Sequence, residues 1–335
     1  MRPAAKVLSL SMLLAATVAL IVVAAGCGSS STSSDSSASP GSKAYKIGIT
    51  QIVTHPALDA AVEGFKAGLA EKGFTNVTYD VQNAQGEPSN AASIAQKFAN
   101  EGLDLVLGVA TPTTQAVVKA DTADPIVFTA VTDPVGAGIV TDPATPSGNV
   151  TGVSDMLPAK PQLELIQQFL PDVKTVGVIY NAGESNSVFL VKEEKAAAAE
   201  MGIKIVEATA STSAEVQAAA QSLIGRVDAI SVLTDNTVVS ALESVIKVAD
   251  QNKIPLFAGD TDSVKRGAVA AYAFDYADLG KQAGYMAAKI LSGTPIKDIP
   301  VEYATNLQLS VNEKAAQAQG VTIPAAVAAK ASNTF

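Results

Sequence analysis

The sequence predicts an α/β protein built on parallel sheets flanked by helices and divided into two groups of βα units. Three observations carry this. Short apolar runs alternate with helix-period patterns from Tyr45 to about residue 290. The apolar runs lack the in-and-out alternation of half-solvated strands, so they belong in sheets buried on both faces. A stretch rich in Pro, Gly and Thr, residues 141–162, interrupts the rhythm and separates the two groups.

In order, strands are expected at 45–49, 103–109, 125–130, 175–180, 203–208, 229–233, 255–258 and 268–272. The first helix is expected at 57–72. Leu58, Ala61, Val62, Phe65 and Leu69 recur there at helical spacing, with Pro56 in the first turn and Gly73 just past the end. Helical patterns also fit 89–101, 114–121, 159–169, 186–201, 214–225, 237–252 and 276–292. Residues 141–162 read as an interdomain crossing, and AYAFDYADLG (271–280) is a second irregular point. Two such breaks imply two α/β domains with the chain crossing between them more than once.

Ahead of this fold lies a three-part N-terminus. Arg2 and Lys6 open it, residues 7–25 are nearly all apolar, and Ala24, Ala25 and Gly26 lead into Cys27. A charged start, an apolar run and small residues at the junction form an export signal. The run is also long enough to span a bilayer as an uncut helix. The junction resembles the lipobox of bacterial lipoproteins, which implies cleavage before Cys27 and lipidation of Cys27. Either reading tethers a folded domain to a membrane. Residues 28–44 contain nine Ser and one Pro, a flexible linker spanning roughly 20–25 Å by random-coil scaling.

Composition narrows the function. Without Arg2 and Lys6, 21 basic residues face 32 acidic ones, a net charge of −11. An acidic surface without a basic cluster argues against nucleic acid and anionic lipid as partners. Cys27 is the only cysteine, so a lipidated Cys27 leaves no disulfide. His55 is the only histidine, which excludes a Cys/His metal site. Trp is absent and aromatics are 5%, which lowers the case for a sugar stacked on aromatic rings.

Ligands of open parallel sheets bind beyond the carboxyl ends of the strands. Those ends turn abruptly polar in this chain: Thr50 to His55, Thr111 to Thr114, Thr132 to Pro134, Asn181 to Ser187, Thr234 to Thr237, and Asp260 to Ser263. Each set opens a helix, and Ser, Thr, Asp and Asn are ordinary caps. Six such mouths from two domains would nevertheless line one cleft. Helix N-termini there suit a carboxylate, while Asp235 and Asp260 offer negative charge for an ammonium. His55 fits a helix cap and a cleft wall equally well. A catalytic role for it would need a partner that the neighbourhood does not signal. No G-x-S-x-G elbow, P-loop or post-strand G-x-G-x-x-G occurs.

At these residues the chain resembles the substrate-binding lipoproteins of ABC importers, in the group that includes tryptophan- and tyrosine-type binding proteins. The resemblance runs through IGITQIVTHPALDAAVEGF (47–65), ATPTTQAV (110–117), PIVFTAVTDPVGAGIV (125–140), GNVTGVSD (148–155), VGVIYNAGESNS (176–187), DNTVVSALES (235–244), the long stretch 255–291 and SVNEKAAQAQGVTIP (310–324). It implies a two-lobed type I periplasmic-binding-protein fold, each lobe a parallel sheet flanked by helices, with the ligand cleft between the lobes. The first lobe would hold 45–153 and 274–300, and the second 154–273 and 301–330. It implies capture of a small solute, an aromatic amino acid first of all, and delivery to an ABC permease. No chemistry, cofactor or metal is implied, and the usual design is a hinged monomer. Thr111 and Thr113 would hold the ligand carboxylate. Asp235, with Asp260, would pair with the ammonium. Asn181, Asn186 and Ser154 would orient, and His55 and Tyr272 would face the ligand side chain. A different solute such as a sugar or nucleoside, a lipoprotein that senses its ligand for a membrane partner, and an extracellular enzyme remain as alternatives.

Overall fold

A computed structural model describes residues 43–120 and 123–335. The expected signal (1–26), Cys27 and nearly all of the Ser-rich linker lie outside the described residues. In chain order the strands are β1 Tyr45–Gln51, β2 Val77–Asn83, β3 Leu105–Val109, β4 Ile126–Val131, β5 Val150–Ser154, β6 Thr175–Tyr180, β7 Lys204–Thr209, β8 Ala229–Val232, β9 Leu256–Ala258, β10 Ala270–Ala273, β11 Glu302–Tyr303, β12 Gln308–Val311 and β13 Asn333–Thr334. The helices are α1 Pro56–Glu71, α2 Pro88–Ala99, α3 Thr111–Lys119, α4 Ala159–Phe169, α5 Ser185–Glu200, α6 Val216–Ser222, α7 Asn236–Ser240, α8 Leu242–Asn252, α9 Thr261–Arg266, α10 Tyr276–Leu291, α11 Glu313–Ala318 and α12 Ala325–Ala328.

The strands form two sheets. The first is wholly parallel, in the order β11-β5-β4-β3-β1-β2. The second runs β13-β12-β10-β9-β8-β6-β7 and is parallel from β10 to β7. Its β12 is antiparallel to β10, with Ala270 opposite Val311. Central strands such as β3 and β4 are buried at every residue, as expected where helices cover both faces.

The structure adds elements that periodicity misses. β2 sits at the edge of the first sheet and is only half-buried, because its VTYDVQN sequence alternates polar and apolar residues. β5 lies inside the stretch expected to be a crossing. Its polar Thr151 is fully buried because the hydroxyl donates to the Ile299 carbonyl at 2.8 Å. The helix expected at 237–252 breaks at Ala241 into α7 and α8.

The chain passes between the sheets three times: from Ser154 to Ala159, from Ala273 to Tyr276, and from Tyr303 to Gln308. Two expected lobe boundaries shift accordingly. Ser154 closes β5 in the first sheet, and Glu302 and Tyr303 pair there with Val153 and Ser154. These residues therefore sit with the first sheet and not the second.

α10 returns to the first sheet and crosses α1 at backbone distance. A Cβ built on Gly64 would strike the Ala277 carbonyl, and one on Gly280 would strike the Ala61 carbonyl. Gly68 and Gly284 repeat the arrangement one turn on. Glycines spaced by four on both helices make this approach possible, and it brings the N-termini of α1 and α10 to the same end of the first sheet.

Candidate functional site

Strand ends and helix starts of both lobes meet around one small cavity. The first lobe and its connecting segments contribute His55, the first turn of α1, Ala130, Asp155 and Tyr276. The second contributes Asn186, Thr234, Asp235, Asn236, Val239 and Asp260.

His55 caps α1, its Nδ1 accepting from the Leu58 N–H at 3.4 Å. Burial first, and the charge of Arg266 second, hold its pKa down to about 3. It therefore presents a neutral ring towards Asn236 of the other lobe.

Three buried carboxyls share the cavity. Asp155 accepts from the Tyr276 hydroxyl at 2.7 Å and the Thr132 hydroxyl at 2.9 Å. This ties the first connecting segment to the second. Asp235 caps α7, accepting from the N–H groups of Val238 at 2.8 Å and Asn181 at 2.6 Å. Asp260 caps α9, accepting from the Ser263 N–H at 2.7 Å and from its hydroxyl. Burial raises all three pKa values. The charge of neighbouring Glu184 adds to the rise at Asp235, which reaches about 7. The charge of Arg266 reaches Asp260 from behind the wall, but no Lys or Arg lines the cavity itself, so the space favours a cationic group.

Asn186 donates to the Thr234 carbonyl at 3.2 Å, and its Oδ1 is buried without a partner. Ala130 stands at φ 57° one residue before the end of β4, and Ala110 at φ 76° just before α3. Left-handed backbone at alanine is strained and persists only where its surroundings enforce it. Both positions turn the chain sharply where strands of the first sheet reach the cleft.

Four of the expected residues, His55, Asn186, Asp235 and Asp260, come together at the cavity. The other five lie elsewhere. Thr113 is buried and donates to the Val109 carbonyl at 2.6 Å. Thr111 is buried beside it, with its hydroxyl unpartnered. Ser154 donates to the Thr132 carbonyl at 2.9 Å and so braces β5. Asn181 lines a wider interlobe groove and donates to the Thr237 hydroxyl at 2.9 Å. Tyr272 packs into the core of the second lobe.

The aromatic residue at the cavity is instead Tyr276, four positions on. Asp155, one residue past Ser154, is the acid that spacing missed. The pairing of Asp275 as a cap with an aromatic at the first helical position was the available signal for Tyr276. Nothing local marked Asp155, because its partners are remote in sequence. Among the described residues, no cluster of three or more His, Cys, Asp or Glu is placed to hold a metal ion.

A match to the family described as ABC transporter substrate binding protein spans residues 46–335. The chain belongs to this family. This substrate-binding protein is 40% identical to a tyrosine-binding protein of Clostridioides difficile over 81% of the chain and 79% of that protein. It overlays an ABC domain from Streptococcus pneumonia in complex with L-Trp at a TM-score of 0.84, with 37% identity, covering 88% of this chain and 100% of that one. It overlays a ligand-free, open structure of a substrate-binding protein with adhesive properties from Clostridium difficile at 0.65, with 41% identity, covering 86% and 98%. The two-lobed fold is that of periplasmic binding proteins, and membership places the folded part outside the cytoplasm.

Proposed function

We propose that this substrate-binding protein captures an aromatic amino acid between its lobes and delivers it to an ABC permease, itself doing no chemistry. A lipid on Cys27 would hold it at the membrane, the Ser-rich linker giving it reach. The observation that carries the reading is the cavity: buried acids and an unpartnered amide oxygen from both lobes converge on one small space.

The ligand ammonium would sit among Asp155, Asp235, Asp260 and the Oδ1 of Asn186. Its carboxylate would face the first turn of α1, where N–H groups and the helix dipole favour an anion. Thr111 and Thr113 remain proposed to support the carboxylate side, and Ser154, Asn181 and Tyr272 to shape the walls behind it. The named ligands of the C. difficile and Streptococcus relatives favour an aromatic side chain. At nearly equal identity, the overlay is much closer with the L-Trp complex than with the open, ligand-free structure. That difference supports lobes arranged as in a ligand-bound state, with hinge motion opening them.

The test is a thermal-shift series on protein unfolded and refolded to strip carried-over ligand, against the twenty amino acids, sugars and nucleosides. A ligand at a hundred times its Kd adds about 2.7 kcal/mol. A shift confined to Trp, Tyr or Phe supports the reading. A shift with a sugar or nucleoside moves the substrate, and no shift at all sinks it.

A further inference from the structure

Asn186, Leu190 and Glu194 are four residues apart on α5 and form one stripe on its buried face. Asn186 opens onto the interlobe cavity. Two turns on, about 12 Å along the axis, Glu194 opens onto a second small cavity. Its walls are mostly apolar, with Leu157, Leu190, Leu233 and Gly259 among them. The two cavities share Thr234, and Leu233 and Gly259 each lie next in sequence to residues of the first.

Glu194 is 1% exposed, and neither carboxyl oxygen has a partner at good hydrogen-bond geometry. The Ser231 hydroxyl on β8 stands near enough to offset the burial of the charge only in part. Burying a carboxyl with so little hydrogen bonding is costly, and the interlobe site described above makes no use of it. Burial pushes its pKa up to about 7. The group can accept a hydrogen bond whether neutral or ionised.

We propose that Glu194 is the specificity residue of the site, accepting a hydrogen bond from a donor at the far end of the ligand's side chain. The aromatic ring would lie against Leu157, Leu190 and Leu233, with the amino-acid head at Asn186 and the three aspartates. This rests on the aromatic amino-acid reading above. The donor is a phenol O–H or an indole N–H. Phenylalanine would fill the same space and leave the carboxyl unpaired, and a site built to hydrogen-bond a ligand group discriminates strongly against the analogue lacking it.

The experiment is calorimetric titration of the stripped full-length protein with tyrosine, tryptophan and phenylalanine, repeated on Glu194→Leu. The wild type is expected to bind tyrosine or tryptophan at least about tenfold more tightly than phenylalanine. The stronger of the two identifies the donor as phenol or indole. In Glu194→Leu that preference should fall below about threefold, through loss of affinity for the donor-bearing ligand alone. Phenylalanine bound by the wild type as tightly as the other two would overturn the proposal, and that comparison needs no variant to fold. An unchanged preference in a folded Glu194→Leu would overturn it as well. If none of the three binds the wild type, the aromatic reading fails and this proposal falls with it, a result distinct from aromatic binding without discrimination.

Discussion

Replacing Gly280 by Ala sets two effects against each other. Helix propensity alone favours Ala over Gly inside a helix by about 1 kcal/mol. At position 280 the added methyl meets the Ala61 carbonyl and Cα of α1. That obstacle is backbone, which cannot swing aside as a flexible side chain would. The helices must separate, and overpacking of this kind costs about 1–3 kcal/mol, here at the upper end. The net expectation is a loss of about 1–2 kcal/mol, or a fall in Tm of roughly 2–4 °C for a chain of this size. Separation also moves the first turn of α1 away from Tyr276 across the cavity, so ligand affinity should fall with stability. Thermal unfolding by circular dichroism and a ligand titration measure both. An unchanged or raised Tm would show that propensity wins and that the helices do not cross at backbone distance.

Four further outcomes are expected. Asp235→Asn should weaken ligand binding by about 2–5 kcal/mol, the cost of truncating a buried charge pair, and unchanged affinity in calorimetry would remove Asp235 from the ammonium site. Tyr276→Phe deprives buried Asp155 of its 2.7 Å donor and should lower stability by about 1–3 kcal/mol in urea unfolding; a neutral effect would mean that the two connecting segments are not joined there. Ala110→Gly should raise Tm, because relief of about 1–3 kcal/mol of backbone strain exceeds the entropy cost of glycine, and a fall in Tm would refute the strain. Glu194 has its pKa raised from 4.5 to about 7, so its stabilising contribution is full below the unfolded value and is lost as pH rises through 7. The stability of the wild type relative to Glu194→Gln should therefore decline from pH 5 to pH 8 by up to about 3 kcal/mol, and a difference constant across that range in pH-stepped melts would refute the shift.

Amino-acid order alone determined the alternation of buried strands and helices, because apolar runs and helical spacing are local properties of the chain. It also marked the polar mouths of the strands, and with them His55, Asn186, Asp235 and Asp260, since each opens or flanks a helix start. The edge strand β2 escaped because solvent on one side lets polar residues into a strand. β5 escaped because its buried Thr151 finds its acceptor at Ile299, far along the chain. Only the tertiary structure could choose Tyr276 over Tyr272. Both are aromatic and lie near the same connecting segment, but one ends up in the core of the second lobe while the other reaches the cavity through the α1–α10 crossing. Asp155 and Glu194 were decided in the same way. An acid next to a strand and an acid within a helix look alike in sequence whether they face water or a closed space. Burial, and the hydrogen bonds that remote segments do or do not supply, is what sets these two acids at the walls of closed cavities.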